Sequence, residues 1–151
     1  MKIRPYTPAD LDAVVAIFRS NIPKYFTPDE EPGLYEFLEE HAEDYYVVEV
    51  GGEVVGAGGI ALNADIDPQT VSLCWGMVRE DHLGTGLGKA LTEFRIRLAK
   101  EEYPGIALTI GTSQHTEGFY HKFGFTTVEH TPDGYGPGID KCRMRLDPEL
   151  R

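Results

Sequence analysis

The sequence predicts an α/β (α+β) protein, a mixed sheet with helices on both faces, folded as a single domain over residues 1–151. Three observations carry that expectation. Runs of β-rich residues alternate with stretches of helical periodicity along the whole chain. A two-glycine hairpin signal, Gly51-Gly52, joins two such β runs in the first half. In the second half three alternating glycines stand between a strand and an amphipathic helix. At 151 residues, with 41% hydrophobic and 26% charged residues, the chain can bury one sizeable core. It contains no repeat, low-complexity tract or linker.

The elements follow in order. Lys2–Tyr6 reads as a short first strand. Thr7-Pro8-Ala9-Asp10 starts a helix, with Thr7 as N-cap, Pro8 at the first helical position and Asp10 near the positive end of the dipole. Leu11, Val14, Val15 and Phe18 keep helical spacing until Asn21-Ile22-Pro23 ends it. A second helix is expected over Pro32 to Ala42, with Leu34, Phe37 and Leu38 facing inward. Tyr45–Val50 and Glu53–Ala61 form the hairpin, and residues 62–69 a polar loop. Val71–Val78 is a strand, and Gly86 to Glu102 is helical along Leu87, Ala90, Leu91, Phe94 and Leu98 until Pro104-Gly105. Ile106–Thr112 reads as a buried strand, Thr116–Phe123 as a short helix and Phe125–His130 as a strand. A Gly/Pro loop, Thr131–Gly138, leads to a last strand, Ile139–Leu146.

The formal net charge of -11 is concentrated in residues 1–69, which hold 14 acids and 4 bases. Such a surface repels a nucleic-acid duplex or an anionic membrane, so neither is expected as a partner, whereas a cationic ligand is attracted. No apolar run reaches the ~18–20 residues that span a bilayer. The first residues, Met1-Lys2-Ile3-Arg4-Pro5, show no signal-peptide core, so a cytoplasmic protein is expected. The two cysteines, Cys74 and Cys142, are too few for a disulfide framework, and the five histidines lack metal-ligand spacing, so no metal is expected. Cys74 reads either as a core residue or as an acyl-carrying nucleophile.

The most informative stretch is Val78-Arg79-Glu80-Asp81-His82-Leu83-Gly84-Thr85-Gly86-Leu87-Gly88-Lys89-Ala90-Leu91. Backbone N–H groups at a helix N-terminus attract anions, and glycines let a phosphate approach. The alternation Gly84-x-Gly86-x-Gly88 is not the dinucleotide fingerprint, and Gly88-Lys89-Ala90 lacks the hydroxyl that completes a P-loop. A tight strand-to-helix turn without a ligand is the plainer alternative. About thirty residues on lies Ser113-Gln114-His115-Thr116-Glu117-Gly118-Phe119-Tyr120-His121-Lys122-Phe123-Gly124-Phe125.

Together these segments resemble the GCN5-related N-acetyltransferase (GNAT) family. Its pyrophosphate loop, Gln/Arg-x-x-Gly-x-Gly/Ala, aligns with Leu83 to Gly88, with Leu83 where the family has Gln or Arg. Its tyrosine motif aligns through Phe119, Tyr120, Gly124 and Phe125, with Ser113 in place of Asn and Thr116 in place of Ala. The resemblance implies a mixed, mostly antiparallel central sheet and acetyl-CoA as cosubstrate. It implies that the backbone of Leu83, Gly84, Thr85, Gly86, Leu87, Gly88 and Lys89 binds the pyrophosphate, with Ser113 and Lys122 near the cofactor. It implies that Met77 and Val78 contact the pantetheine arm through their backbone. Tyr120 is then the general acid for the leaving thiolate, a role that suits a phenol because it keeps its proton at neutral pH. Aromatic packing beside Phe119 and Phe123 is its plainer alternative.

The family's usual basic glutamate aligns with Ser72, which cannot serve. An amine of pKa ~10.4 is almost wholly protonated at neutral pH, so a base or water chain is required. Glu80 and Asp140 are the candidates. The family's acceptor site implies Phe18, Asn21, Tyr25, Trp75, Tyr135 and Asp140 as substrate contacts, with Phe26 and the acids Asp29, Glu30 and Glu31 nearby. Aromatic faces and carboxylates together suit an ammonium group. The expected function is direct transfer of an acetyl group to a primary amine on a small molecule, amino acid or peptide N-terminus, by a monomer or homodimer. A non-catalytic acyl-CoA sensor is the rival reading.

Overall fold

The computed structural model describes residues 1–150. Seven strands form one mixed sheet: β1 Lys2–Pro5, β2 Tyr45–Val50, β3 Glu53–Leu62, β4 Val71–Val78, β5 Leu108–Thr112, β6 Thr126–Gly136 and β7 Ile139–Leu146. Their order across the sheet is β1-β2-β3-β4-β5-β7-β6. The helices are α1 Leu11–Ser20, α2 Glu31–Glu40, α3 Leu87–Glu102 and α4 Glu117–His121. The chain clusters into two compact units, one made of Met1–Ile60 with Cys74–Arg95, the other of Ala61–Leu73 with Ile96 onward. No helix among the described residues is long and apolar enough to cross a membrane.

In the first unit β1 pairs antiparallel with β2, and β2 with β3. The β2–β3 turn is made by Gly51 and Gly52, both left-handed at φ 60 and 83, a conformation that glycine adopts without strain. The Thr7 amide donates to the Asp10 carboxylate (2.9 Å), and the Asp10 amide to the Thr7 carbonyl (2.8 Å), so the first turn before α1 is closed from both sides. Arg4 fixes the same carboxylate through two 2.8 Å bonds. Opposite charge and direct hydrogen bonds therefore hold Asp10 far below the usual carboxylate range, at about 2. Val14, Val15, Ile17 and Phe18 are buried along α1, and Leu34, Phe37 and Leu38 along α2.

In the second unit β4 and β5 are parallel, with Val71 opposite Leu108 and Ser72 opposite Thr109. β7 then runs antiparallel to β5 and to β6. Three expectations need correction. The second helix begins at Glu31 and ends at Glu40, after which Ala42–Asp44 form a separate 3₁₀ turn. β5 begins at Leu108, because Gly105 turns the chain and Ile106 is tied back to the Tyr103 carbonyl. The segment expected as a loop, Thr131–Gly138, is strand as far as Gly136, and only Pro137 and Gly138 turn it into β7. The strand keeps pairing by shifting register between Thr131 and Gly136, and Asp133 and Gly136 take positive φ inside the irregularity.

Candidate functional site

The glycine loop lies wholly in the first unit. After β4 a 3₁₀ turn, Glu80–His82, is closed by Leu83 donating to the Glu80 carbonyl. Gly84 and Gly86 then take φ 77 and 88, and a side chain at either would project into open space. The glycines thus serve the backbone path and leave its surface bare. The Ala90 amide closes the first turn of α3 on the Gly86 carbonyl (3.1 Å). The amides of Leu87, Gly88 and Lys89 precede any intrahelical acceptor and lie at the positive end of a 16-residue helix. That first turn carries no acidic residue. Leu87 and Leu91 anchor it by packing with Val48 and Val55, with Ile3, Val50 and Val78 around them. Lys89 is exposed and lies 4.0 Å from Glu93, and Leu83 is exposed. Bare amides, open space and positive potential fit a diphosphate.

The irregular end of β4 follows from one residue. Trp75 has φ 45, a left-handed conformation that a bulky side chain rarely adopts. Its carbonyl accepts a hydrogen bond from the buried Tyr45 hydroxyl (2.9 Å). The next residue, Gly76, is pressed against Arg95, so that a Cβ there would lie 2.6 Å from the guanidinium. Farther along, Asn21 donates to the carbonyls of Val78 (2.9 Å) and Ile17 (3.0 Å), tying the end of α1 to β4. The Trp75 ring stacks on Phe26 (5.9 Å between centroids), and Phe18 lies against both at 6.1 and 5.0 Å. Of these aromatics Phe18 is fully buried, so it backs the other two. Tyr25 lies nearby in sequence with the Lys24 ammonium 5.2 Å from its ring centre.

The acids expected to attract a cation are partly committed to the protein itself. Glu31 makes a two-pronged pair with Arg19 (2.7 and 2.8 Å). Glu30 accepts from the Thr27 amide, while burial pushes its carboxyl up. Glu80 is exposed, and its amide donates to the Ser20 hydroxyl. Burial pushes the Cys74 thiol up to about 12, with the nearby Arg95 charge pulling it down only partly. A thiol so poorly ionised is a weak nucleophile, which counts against an acyl-cysteine route.

The remaining candidates lie in the second unit. Ser113 starts the α4 segment: its carbonyl accepts from the amides of Thr116 (3.1 Å) and Glu117 (3.0 Å), and its hydroxyl from His115 (3.3 Å). Tyr120 is buried, with its ring edge-on to Phe119 (5.0 Å) and Phe125 (6.0 Å). Lys122 is exposed. The Tyr135 hydroxyl reaches the bare face of Gly111, and the Lys141 ammonium stands 5.9 Å from its ring centre. Asp140 is heavily engaged. It accepts from the Asp133 amide (3.0 Å) and bonds the His130 ring (2.8 Å), and these hold it below the usual carboxylate range. Ser72 shares a buried 2.7 Å hydrogen bond with Thr109. Among the described residues no group of three or more His, Cys, Asp or Glu could hold a metal ion.

The reading of the sequence missed Tyr45 and Arg95. The signals that could have found them were an arginine within the α3 pattern and the run Gly56-Ala57-Gly58-Gly59 in β3, where two long side chains need adjacent bare backbone.

Comparison with known proteins agrees with this architecture. Residues 18–148 match the acetyltransferase (GNAT) domain family. The chain belongs to that family and is an acetyltransferase by class. No curated protein matches the chain. Among solved structures it is similar to Ard1 from Thermoplasma volcanium, at 21% identity over 97% of this chain and 96% of that one (TM-score 0.78). It is similar to ribosomal-protein-alanine N-acetyltransferase from Brucella melitensis, at 20% identity over 97% and 99% of the two chains (TM-score 0.75). It also resembles yncA from Salmonella typhimurium, solved with its cofactor acetyl-CoA, at 22% identity over 98% and 94% (TM-score 0.73). Identities this low carry the fold.

Proposed function

We propose that the chain moves the acetyl group of acetyl-CoA directly onto a primary amine, within a complex that holds both substrates. The carrying observation is the loop Leu83–Lys89, whose left-handed Gly84 and Gly86 face open space at the start of α3. In this reading its amides hold the pyrophosphate, and Lys89, Lys122 and Ser113 assist. Backbone groups of Met77 and Val78 meet the pantetheine arm and steady the oxyanion that forms when the amine attacks.

Acetyl-CoA supplies an activated acyl carbon. The amine nitrogen bonds to that carbon, the carbon–sulfur bond breaks, and Tyr120 gives its hydroxyl proton to the departing sulfur. Glu80, which is exposed, takes the proton lost by the amine, whereas the Asp133 amide and the His130 ring hold Asp140 below the usual carboxylate range and make it the weaker base. Trp75 and Phe26, backed by Phe18, provide the aromatic wall for an ammonium acceptor. Asn21, Tyr25, Tyr135 and Asp140 are the further residues assigned to the acceptor, with Asn21 and Asp140 acting through the backbone they hold. A small amine, an amino acid and a peptide N-terminus all fit this chemistry. Acetyl-CoA and the thiols Cys74 and Cys142, neither in a disulfide, suit the cytoplasm.

The test is CoA release with a panel of amines, before and after Tyr120→Phe. Turnover that falls at least about 100-fold in the variant, with acetyl-CoA affinity retained, supports the assignment. Stabilisation against heat by ATP, NAD or FAD and not by acetyl-CoA overturns the cofactor reading. One observation favours the rival sensor: the hydroxyl of Ser72 stands where a base is usual and is consumed by Thr109. Tight acetyl-CoA binding without transfer to any amine would establish it.

A further inference from the structure

We infer that Tyr45 and Arg95 are positioning residues that set the backbone of Trp75–Val78 from opposite faces of the sheet, through the paired bare positions Gly59 and Gly58. The functional half of this inference rests on the proposed acetyl transfer; the structural half does not.

The geometry starts in β3. Successive residues of a strand point to opposite faces, so Gly58 and Gly59 clear one lane on each face. On one face the Tyr45 ring lies over Gly59. A Cβ at Gly59 would come within 2.8 Å of that ring and 2.3 Å of the Asp44 carbonyl. Only the bare position lets Tyr45 pass from β2 across β3 and deliver its hydroxyl to the Trp75 carbonyl on β4 (2.9 Å). On the other face Arg95 lies along Gly58. A Cβ there would meet the Arg95 Cδ and Nε at 3.3 Å and the Gly76 Cα at 3.2 Å. The guanidinium then ends beneath Gly76.

Both side chains are 1% exposed. Neither can swing into solvent; Tyr45 meets the backbone at the strained residue and Arg95 at the one after it. A tryptophan at φ 45 persists only where its surroundings over-determine it. Tyr45 fixes the carbonyl of the strained residue, and Arg95 fills the space under the residue that follows. Gly56 completes the arrangement, since a Cβ there would lie 3.3 Å from the Met77 carbonyl oxygen. The direction in which the amides of Met77 and Val78 point is therefore set by side chains that reach β4 from β2 and α3.

Trp75 is the sole tryptophan, so its fluorescence reports the irregular segment directly, without any substrate. The variants are Tyr45→Phe, which removes only the hydroxyl, Arg95→Lys and Arg95→Met. Ligand-free Tyr45→Phe is expected to unfold cooperatively but to show a shifted Trp75 emission maximum and altered acrylamide quenching. With acetyl-CoA and an accepted amine, kcat is expected to fall about tenfold while both KM values change by less than about threefold, since misplaced donors act on the transition state. Arg95→Lys is expected to retain more of the wild-type emission and kcat than Arg95→Met. If Tyr45→Phe fails to fold, the Arg95 pair decides alone. Wild-type emission in every folded variant overturns the inference, as does a kcat loss that merely tracks lost stability. If the wild-type protein neither binds acetyl-CoA nor transfers acetyl groups, the functional reading fails, and the emission spectra still decide the structural claim.

Discussion

β4 and β6 are both irregular strands, but they are held in opposite ways. The irregularity of β4 sits at one residue, Trp75, and is enclosed by buried Tyr45 and Arg95 and tethered at Val78 by buried Asn21. That of β6 is spread from Thr127 to Gly136 and is largely exposed. There the holding groups are side chains at the surface: Asp140 with His130 and Asp133, Asp133 with the Gly138 amide, and Gln114 with Gly138 and Asp140. Buried contacts in a low dielectric are insensitive to salt and to moderate pH, whereas exposed charged contacts are screened and titrate. The segment proposed to meet the thioester is thus set by packing, and the hairpin proposed to face the acceptor is set by adjustable polar bonds.

The largest expected effect comes from breaking the β4 side. Gly76→Ala places a methyl group 2.6 Å from a guanidinium that has no route to solvent. Overpacking of this kind costs about 2–3 kcal/mol. Urea denaturation should show that loss with an unchanged m-value. A loss below about 0.5 kcal/mol would mean that Arg95 can move, and the contrast between the strands would weaken.

How far the sequence foretold these two strands follows from what each depends on. β4 was legible to the residue, because Val71–Val78 is a continuous β-rich run bounded by turn residues, and β7 because Cys142, Met144 and Leu146 alternate with Lys141, Arg143 and Arg145 after the turn at Gly138. The glycine loop was legible because bare residues alternating just ahead of an amphipathic stripe mark a strand-to-helix turn by local chemistry alone. The second half of β6 was not. Pro132, Gly134 and Gly136 signal a loop locally, but β7 pairs with both flanks and carries the strand through. Tertiary pairing overrode local propensity there. Tyr45 and Arg95 were missed because the groups they reach, the Trp75 carbonyl and the underside of Gly76, lie on another strand, so the glycine run in β3 and an arginine within the α3 pattern acquire meaning only once the strands are paired.

A smaller effect is expected from Asp140. Its carboxyl lies below its ordinary value because the Asp133 amide and the His130 ring both favour the charged form. A group whose folded value is depressed stabilises above its unfolded value, near pH ~4, and loses that contribution as pH falls through the folded value. Below that range the hairpin should loosen while the β4 segment is unaffected. The protection factors of the Asp133 and Gly138 amides, with the intrinsic pH dependence of exchange divided out, should therefore fall on acidification, and Asp140→Asn should reproduce much of this at neutral pH. An equal loss of protection at Trp75–Val78 would show that the two strands are not held independently.

Gly111→Ala should do least, and it sharpens the comparison because its geometry resembles that of Gly76→Ala. The new Cβ would lie 2.6 Å from the Tyr135 hydroxyl, the same nominal clash as at Gly76. The obstacle differs. Tyr135 is half-buried, the clash is at the far end of its side chain, and the Lys141 stem beside it lies 3.6 Å from the new atom. A small shift of the whole side chain about χ1 relieves the contact at a cost below about 1 kcal/mol. The same displacement moves a side chain assigned to the acceptor, so KM for the amine should rise several-fold while that for acetyl-CoA stays within about twofold. Two substitutions with equal initial overlap would then differ by about 2 kcal/mol in stability, the difference lying in whether the neighbour can yield. A Gly111→Ala loss as large as that of Gly76→Ala would show that Tyr135 is as firmly caged as Arg95, and the polar hairpin would have to be regarded as part of the rigid core.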